Sequence, residues 1–83
     1  MATMIFPEEV AQIADKTATA FRLGHEAYAN EYFTEFIDLF SKAINSEILE
    51  QRPEITLILS EIFEAQQKRD ILKVADLLQY KLL

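Results

Sequence analysis

Residues 21–33 read FRLGHEAYANEYF, and the Gly24-His25 pair within them holds the only glycine and the only histidine of the chain. A glycine just past a helical run is the usual left-handed C-terminal cap, because it has no Cβ to clash at positive φ. Upstream, Pro7 suits a first helical position, and Glu8 and Glu9 sit against the positive end of the helix dipole. Val10, Ile13, Ala14, Thr17, Ala18 and Phe21 then share one face at i, i+3, i+4 spacing, so a helix is predicted over 7–23. Downstream, Ala29, Phe33, Phe36, Ile37, Phe40, Ala43 and Ile44 form a second apolar stripe, flanked by Tyr28 and Tyr32. This second helix starts at residue 25 and ends either at Asn45 or as far on as Gln51, before Pro53. So short a connection at Gly24-His25 makes the two helices antiparallel neighbours.

The Pro-Glu start recurs at Pro53-Glu54 and opens a helix over 53–68 with Ile55, Ile58, Leu59, Ile62 and Phe63 on its apolar face. The chain then turns polar at QQKRD and apolar again at Ile71, Leu72, Val74, Ala75, Leu78 and Leu82. At 100° per residue the second set points roughly 130° away from the first, too far for one straight amphipathic helix. A break near Arg69 follows, with Asp70 as N-cap of a helix over 70–82. The alternative is one long kinked helix from Pro53 to the end. The predicted fold is all-α: a single domain, residues 1–83, forming a four-helix up-and-down bundle from two αα-hairpins. Gly24-x4-Ala29-x3-Phe33 has the turn and second-helix spacing of a tetratricopeptide motif, and Asp70-x4-Ala75 repeats part of it. A solenoid needs more units than these.

Eight basic against fourteen acidic residues give a net charge of −6, the wrong sign for wrapping a phosphate backbone, so no nucleic-acid partner is expected. No run of about 18 apolar residues is present for a membrane span, and MATMIF lacks the basic start of a secretory signal. A bacterial, cytoplasmic setting is the expectation. With no cysteine, neither disulfides nor thiolate metal sites can reinforce the fold. A monomer of 83 residues buries only about 60 to 65% of its unfolded surface, yet 51% of the residues are hydrophobic. A homodimer would cover the excess, and the apolar termini Met4, Ile5, Phe6, Leu82 and Leu83 are the predicted interface unless they fold back on the bundle.

Chemistry-bearing residues are sparse. A dimetal bundle site needs Glu-x-x-His pairs, which this chain lacks, so His25 is read as a first-turn residue at a bend rather than a ligand. Glu31, Glu35 and Asp38 recur at i, i+4, i+7 on one helix edge and are the candidate ligands of a hard cation, but they have no oxygen-rich loop and Asp38 has Lys42 four residues on. Glu61 and Glu64 have no cleft to shift a pKa, and Lys68 follows Glu64 at i+4. Ser41, Ser46 and Ser60 lack a glycine-flanked elbow, and a single glycine excludes a P-loop or dinucleotide fingerprint. The acidic, helical character suits acyl carrier proteins, whose carrier serine lies in Asp-Ser-Leu. The chain has Ala75-Asp76-Leu77-Leu78 instead.

The run EAQQKRDILKVADLLQYKLL, residues 64–83, resembles the closing segment of a group of small bacterial helical proteins without assigned function. Ala65, Gln66, Asp70, Ala75, Asp76, Leu78 and Tyr80 carry the resemblance, and Gln79 stands where an acidic residue is usual. The match spans roughly a quarter of the chain, with residues 21–38 loosely similar. It implies a helical fold and transfers no activity, cofactor or site. The expectation is therefore a non-enzymatic protein-interaction module, such as an adaptor, chaperone-like protein or regulatory subunit, that needs no cofactor. The alternative is a helical bundle that binds a metal through carboxylates or holds an apolar ligand.

Overall fold

A computed structural model describes residues 6–82 of the chain. Among the described residues there are five α-helices: α1 Glu8–Arg22, α2 Glu26–Ala43, α3 Ser46–Gln51, α4 Ile55–Gln67 and α5 Ile71–Asp76, the last running on into a π-helical segment, Leu77–Leu82. No strand occurs among the described residues. The all-α class stands, but the four helices expected of an up-and-down bundle become five with a π-helical end.

Each boundary has a local cause. Pro7 sits at the N-cap of α1 rather than at its first helical position, so the helix opens one residue later than expected, and the Pro7 carbonyl accepts from Val10 N–H at 3.0 Å. Gly24 takes φ 77°, and the turn around it closes with His25 N–H to the Ala20 carbonyl at 2.9 Å and Gly24 N–H to the Phe21 carbonyl at 3.1 Å. That pair of bonds is a Schellman cap. The second helix takes neither expected end: α2 stops at Ala43, Ile44 and Asn45 are extended, and Asn45 Oδ1 accepts from Ile48 N–H at 2.9 Å to start the separate α3. The side-chain cap competes with helix continuation for the same amide, so the helix stops and a short one restarts after the two extended residues. Pro53 and Glu54 form a turn, so α4 opens at Ile55 rather than at Pro53.

The break near Arg69 is present, and Asp70 caps α5 by accepting from Lys73 N–H at 3.3 Å. Beyond Asp76 the expected α-helix to residue 82 gives way to wider i→i+5 turns. The wider turn brings residues four apart closer to one line, and Leu78 and Leu82 both lie fully buried. The apolar set of this element also shifts: Leu72 faces outward, and Leu77 is buried in its place.

α1 packs against α2 on one side and against α5 and the π-helical segment on the other, which in turn pack on α4. Small residues at Ala14, Ala18 and Ala29, all without exposed surface, let α1 and α2 approach closely. An aromatic column runs through the core: Phe6 meets Phe40 at 5.2 Å between centroids, Phe40 meets Phe36 at 5.5 Å, and Phe36 meets Phe33 at 6.2 Å. Phe33 then contacts Phe63 edge-on at 6.3 Å, which joins α2 to α4. Thr17, the buried polar residue of the core, donates its hydroxyl to the Ile13 carbonyl at 2.6 Å.

Two residues of the expected terminal interface fall elsewhere. Phe6 and Leu82 are both buried in the core of one chain, Phe6 against Phe40 and Leu82 at the end of the π-helical segment. Of the two outcomes open to apolar termini, folding back is the one these residues take. Met4, Ile5 and Leu83 lie outside the described residues.

Candidate interaction surface

The outer face of the first hairpin forms an open groove of about 760 Å³. Its floor is Ile13 and Ala20 from α1; its walls are the half-buried Tyr32 and Leu39 from α2. The period of α1 explains the floor: Val10, Ala14, Thr17 and Phe21 point to the core, so Glu9, Ile13, Lys16 and Ala20 fall on the adjoining strip beside α2. Leu23, 65% exposed, and His25 close the bend end. Phe6 touches Phe40, so the start of α1 lies beside the end of α2, and Glu9 and Leu39 mark the opposite end of the groove.

Three carboxylates line this groove, Glu9, Asp15 and Glu35, against one ammonium, Lys16. The Lys16 ammonium lies 5.2 Å from the Tyr32 ring centroid, a cation–π contact across the two helices. Among the described residues no cation lies within ion-pair distance of Glu9 or Glu35.

The cation candidates do not converge. Glu35 lines the groove, Glu31 is exposed to solvent, and Asp38 pairs with Lys42 at 3.2 Å. No group of three or more His, Cys, Asp or Glu side chains among the described residues is placed to hold a metal ion. His25 is the N-cap residue of α2, makes no side-chain cap, and faces Tyr28 edge-on at 6.4 Å. Glu64 is held below the ordinary glutamate range by its hydrogen bond with Lys68, which itself is raised by the same bond.

Two arginine networks went unseen in the sequence. Arg22 at the end of α1 donates to Asp76 at 2.7 Å and to Gln79 at 3.0 Å, its guanidinium lies 5.5 Å from the Tyr80 ring centroid, and Gln79 donates onward to Asp15 at 2.8 Å. Arg52 donates to the backbone carbonyls of Lys81, at 2.8 Å, and Leu82, and to Glu54 at 2.9 Å. It thus satisfies carbonyls that the end of a helix leaves without partners. The hydrogen bond from Arg52 also holds Glu54 below the ordinary glutamate range. Sequence separations of up to 64 residues put these pairings beyond any local periodicity.

No protein-family model, curated protein or solved structure matches the chain. The residues of the C-terminal pattern have structural duties: Ala65, Ala75 and Leu78 are core, Asp70 is a cap, and Asp76 and Tyr80 hold Arg22. No described helix is long and apolar enough to cross a membrane.

Proposed function

We propose that the protein is a small protein-interaction module, an adaptor or regulatory subunit, that works through the α1–α2 groove. The observation that carries this reading is the composition of the groove: apolar side chains at Leu23, Tyr32 and Leu39 bordered by the carboxylates of Glu9 and Glu35, which among the described residues have no cation within ion-pair distance. A surface of this kind supplies contact area and orientation, whereas nothing in it pairs a nucleophile with a base. Self-association belongs to the same reading. With Phe6 and Leu82 in the core, a homodimer would use apolar side chains that stay exposed, such as Leu57, Leu72 and Tyr80.

The test compares co-purification from the native cells with tagged parent protein and with Leu39→Asp, both checked for equal helix content. A protein held by the parent and lost from the variant supports contact through the groove. Identical sets of co-purifying proteins would overturn it. Light scattering behind a sizing column, over a hundredfold concentration range with and without chelator, separates self-association from a metal-dependent state.

A further inference from the structure

We propose that the α1–α2 groove receives a basic amphipathic helix of a partner protein. This rests on the interaction reading and adds the chemistry of the partner. Between Glu9 and Leu23 the groove runs along about 21 Å of α1, roughly four helical turns. Two antiparallel helices with Ile13 and Ala20 on the floor between them offer the kind of furrow into which a third helix packs ridge to groove. Apolar anchors at i, i+3, i+4 and i+7 of the incoming helix would meet Leu23, Tyr32 and Leu39, and the helix-in-groove mode is read from such spacing.

Charge chooses among occupants. Glu9 and Glu35 have no cation within ion-pair distance among the described residues, and the groove's own lysine lies over the Tyr32 ring. Lysine or arginine residues flanking the apolar stripe of a partner helix would complete these carboxylates. A second copy docked through the same groove would set carboxylate against carboxylate, because a two-fold contact brings one patch against itself. An anionic membrane or a nucleic acid meets the same repulsion from a chain of net charge −6.

The experiment uses the full chain, isotope-labelled for amide spectra, and three synthetic 18-residue amphipathic peptides sharing one leucine stripe. Their polar faces carry lysine and arginine, glutamine, or glutamate. The basic peptide is expected to bind at least about tenfold tighter than the glutamate peptide, shift the amides of Ile13, Ala20, Tyr32 and Leu39, and weaken as salt rises. Glu9→Lys with Glu35→Lys should reverse the preference. Glu47→Lys with Glu50→Lys changes net charge equally on exposed α3 positions and should leave it intact. Equal weakening by both double variants would reduce the attraction to net charge and overturn the proposal. So would concentration-dependent shifts at the same amides without peptide, which would mark a second copy as the occupant. Groove binding by the glutamine or glutamate peptide in preference to the basic one overturns the basic partner but leaves the interaction reading standing. If no peptide shifts the groove, the basic partner falls, and the contrast between parent and Leu39→Asp decides the broader reading separately.

Discussion

Gly24 and Arg69 occupy the same structural position in the two helical hairpins. Each is the left-handed residue of a Schellman cap, with φ 77° and 57°. Around Arg69 the pattern of Gly24 repeats: Asp70 N–H to the Ala65 carbonyl at 2.9 Å, and Arg69 N–H to the Gln66 carbonyl at 3.1 Å. One hairpin uses the residue that adopts this backbone freely, and the other holds an arginine there.

The two positions should respond with opposite sign. Arg69→Gly relieves the left-handed penalty and is expected to raise stability by up to about 1 kcal/mol, after the extra freedom of glycine in the unfolded chain is subtracted. Gly24→Ala should lower it by about 1 kcal/mol from backbone strain alone, since a Cβ there meets nothing within 4 Å. Urea unfolding of the two variants checks both signs.

Arg52 stands at the C-terminal end of the π-helical segment, with its side chain 21% exposed. Arg52→Met keeps much of the stem and removes the donors to Lys81 and Leu82, so a loss of about 1.5 to 3 kcal/mol is expected. Amide exchange should speed up first across Leu77–Leu82, whereas Glu54→Gln, which leaves those donors in place, should cost less.

Arg22 and Asp76 pair at the surface, 33% and 58% exposed, so their coupling is small despite the 2.7 Å distance. A double-mutant cycle with Arg22→Met and Asp76→Asn should return about 0.5 to 1 kcal/mol, shrinking in high salt. A larger value would show that Gln79 and Tyr80 act with them as one network.

Phe6 and Leu82 are core residues, so Phe6→Ser and Leu82→Ser should each cost about 2 to 5 kcal/mol, to the same extent at every protein concentration. For a domain of this size that approaches the whole stability. A concentration-dependent loss would return these residues to a subunit interface.

Acid should act through Glu54 and Glu64, both held below the ordinary glutamate range by a hydrogen bond to a cation. A depressed carboxylate contributes stability above its unfolded pKa and loses it as pH falls through the folded one. The stability gap between parent and Glu64→Gln should therefore narrow as pH drops below about 4. Both side chains are exposed, so the gap is small. The raised Lys68 contributes below the ordinary lysine range and loses that contribution only in alkali, so it leaves the neutral region flat.

Helix periodicity, the bend at Gly24, the break before Asp70 and the membership of Phe33, Phe36 and Phe40 in the core were all legible from the chain, because each depends on residues within a few positions of one another. The end of α2 was not legible, since whether Asn45 bonds the Ile48 amide or lets the helix run on depends on where Ile48 can be buried. The groove was half visible: Glu35 stood out on its helix edge, but nothing local brings Glu9 to the same face of the hairpin. The sequence by itself determined an acidic, all-helical chain with capped hairpins. Only tertiary packing decided that Phe6 and Leu82 close the core, that Arg22 and Arg52 fasten the C-terminal segment, and that Leu72 faces water while Leu77 does not. Those outcomes turn on which distant surfaces meet, and in this fold the contacts cross up to 64 residues of chain.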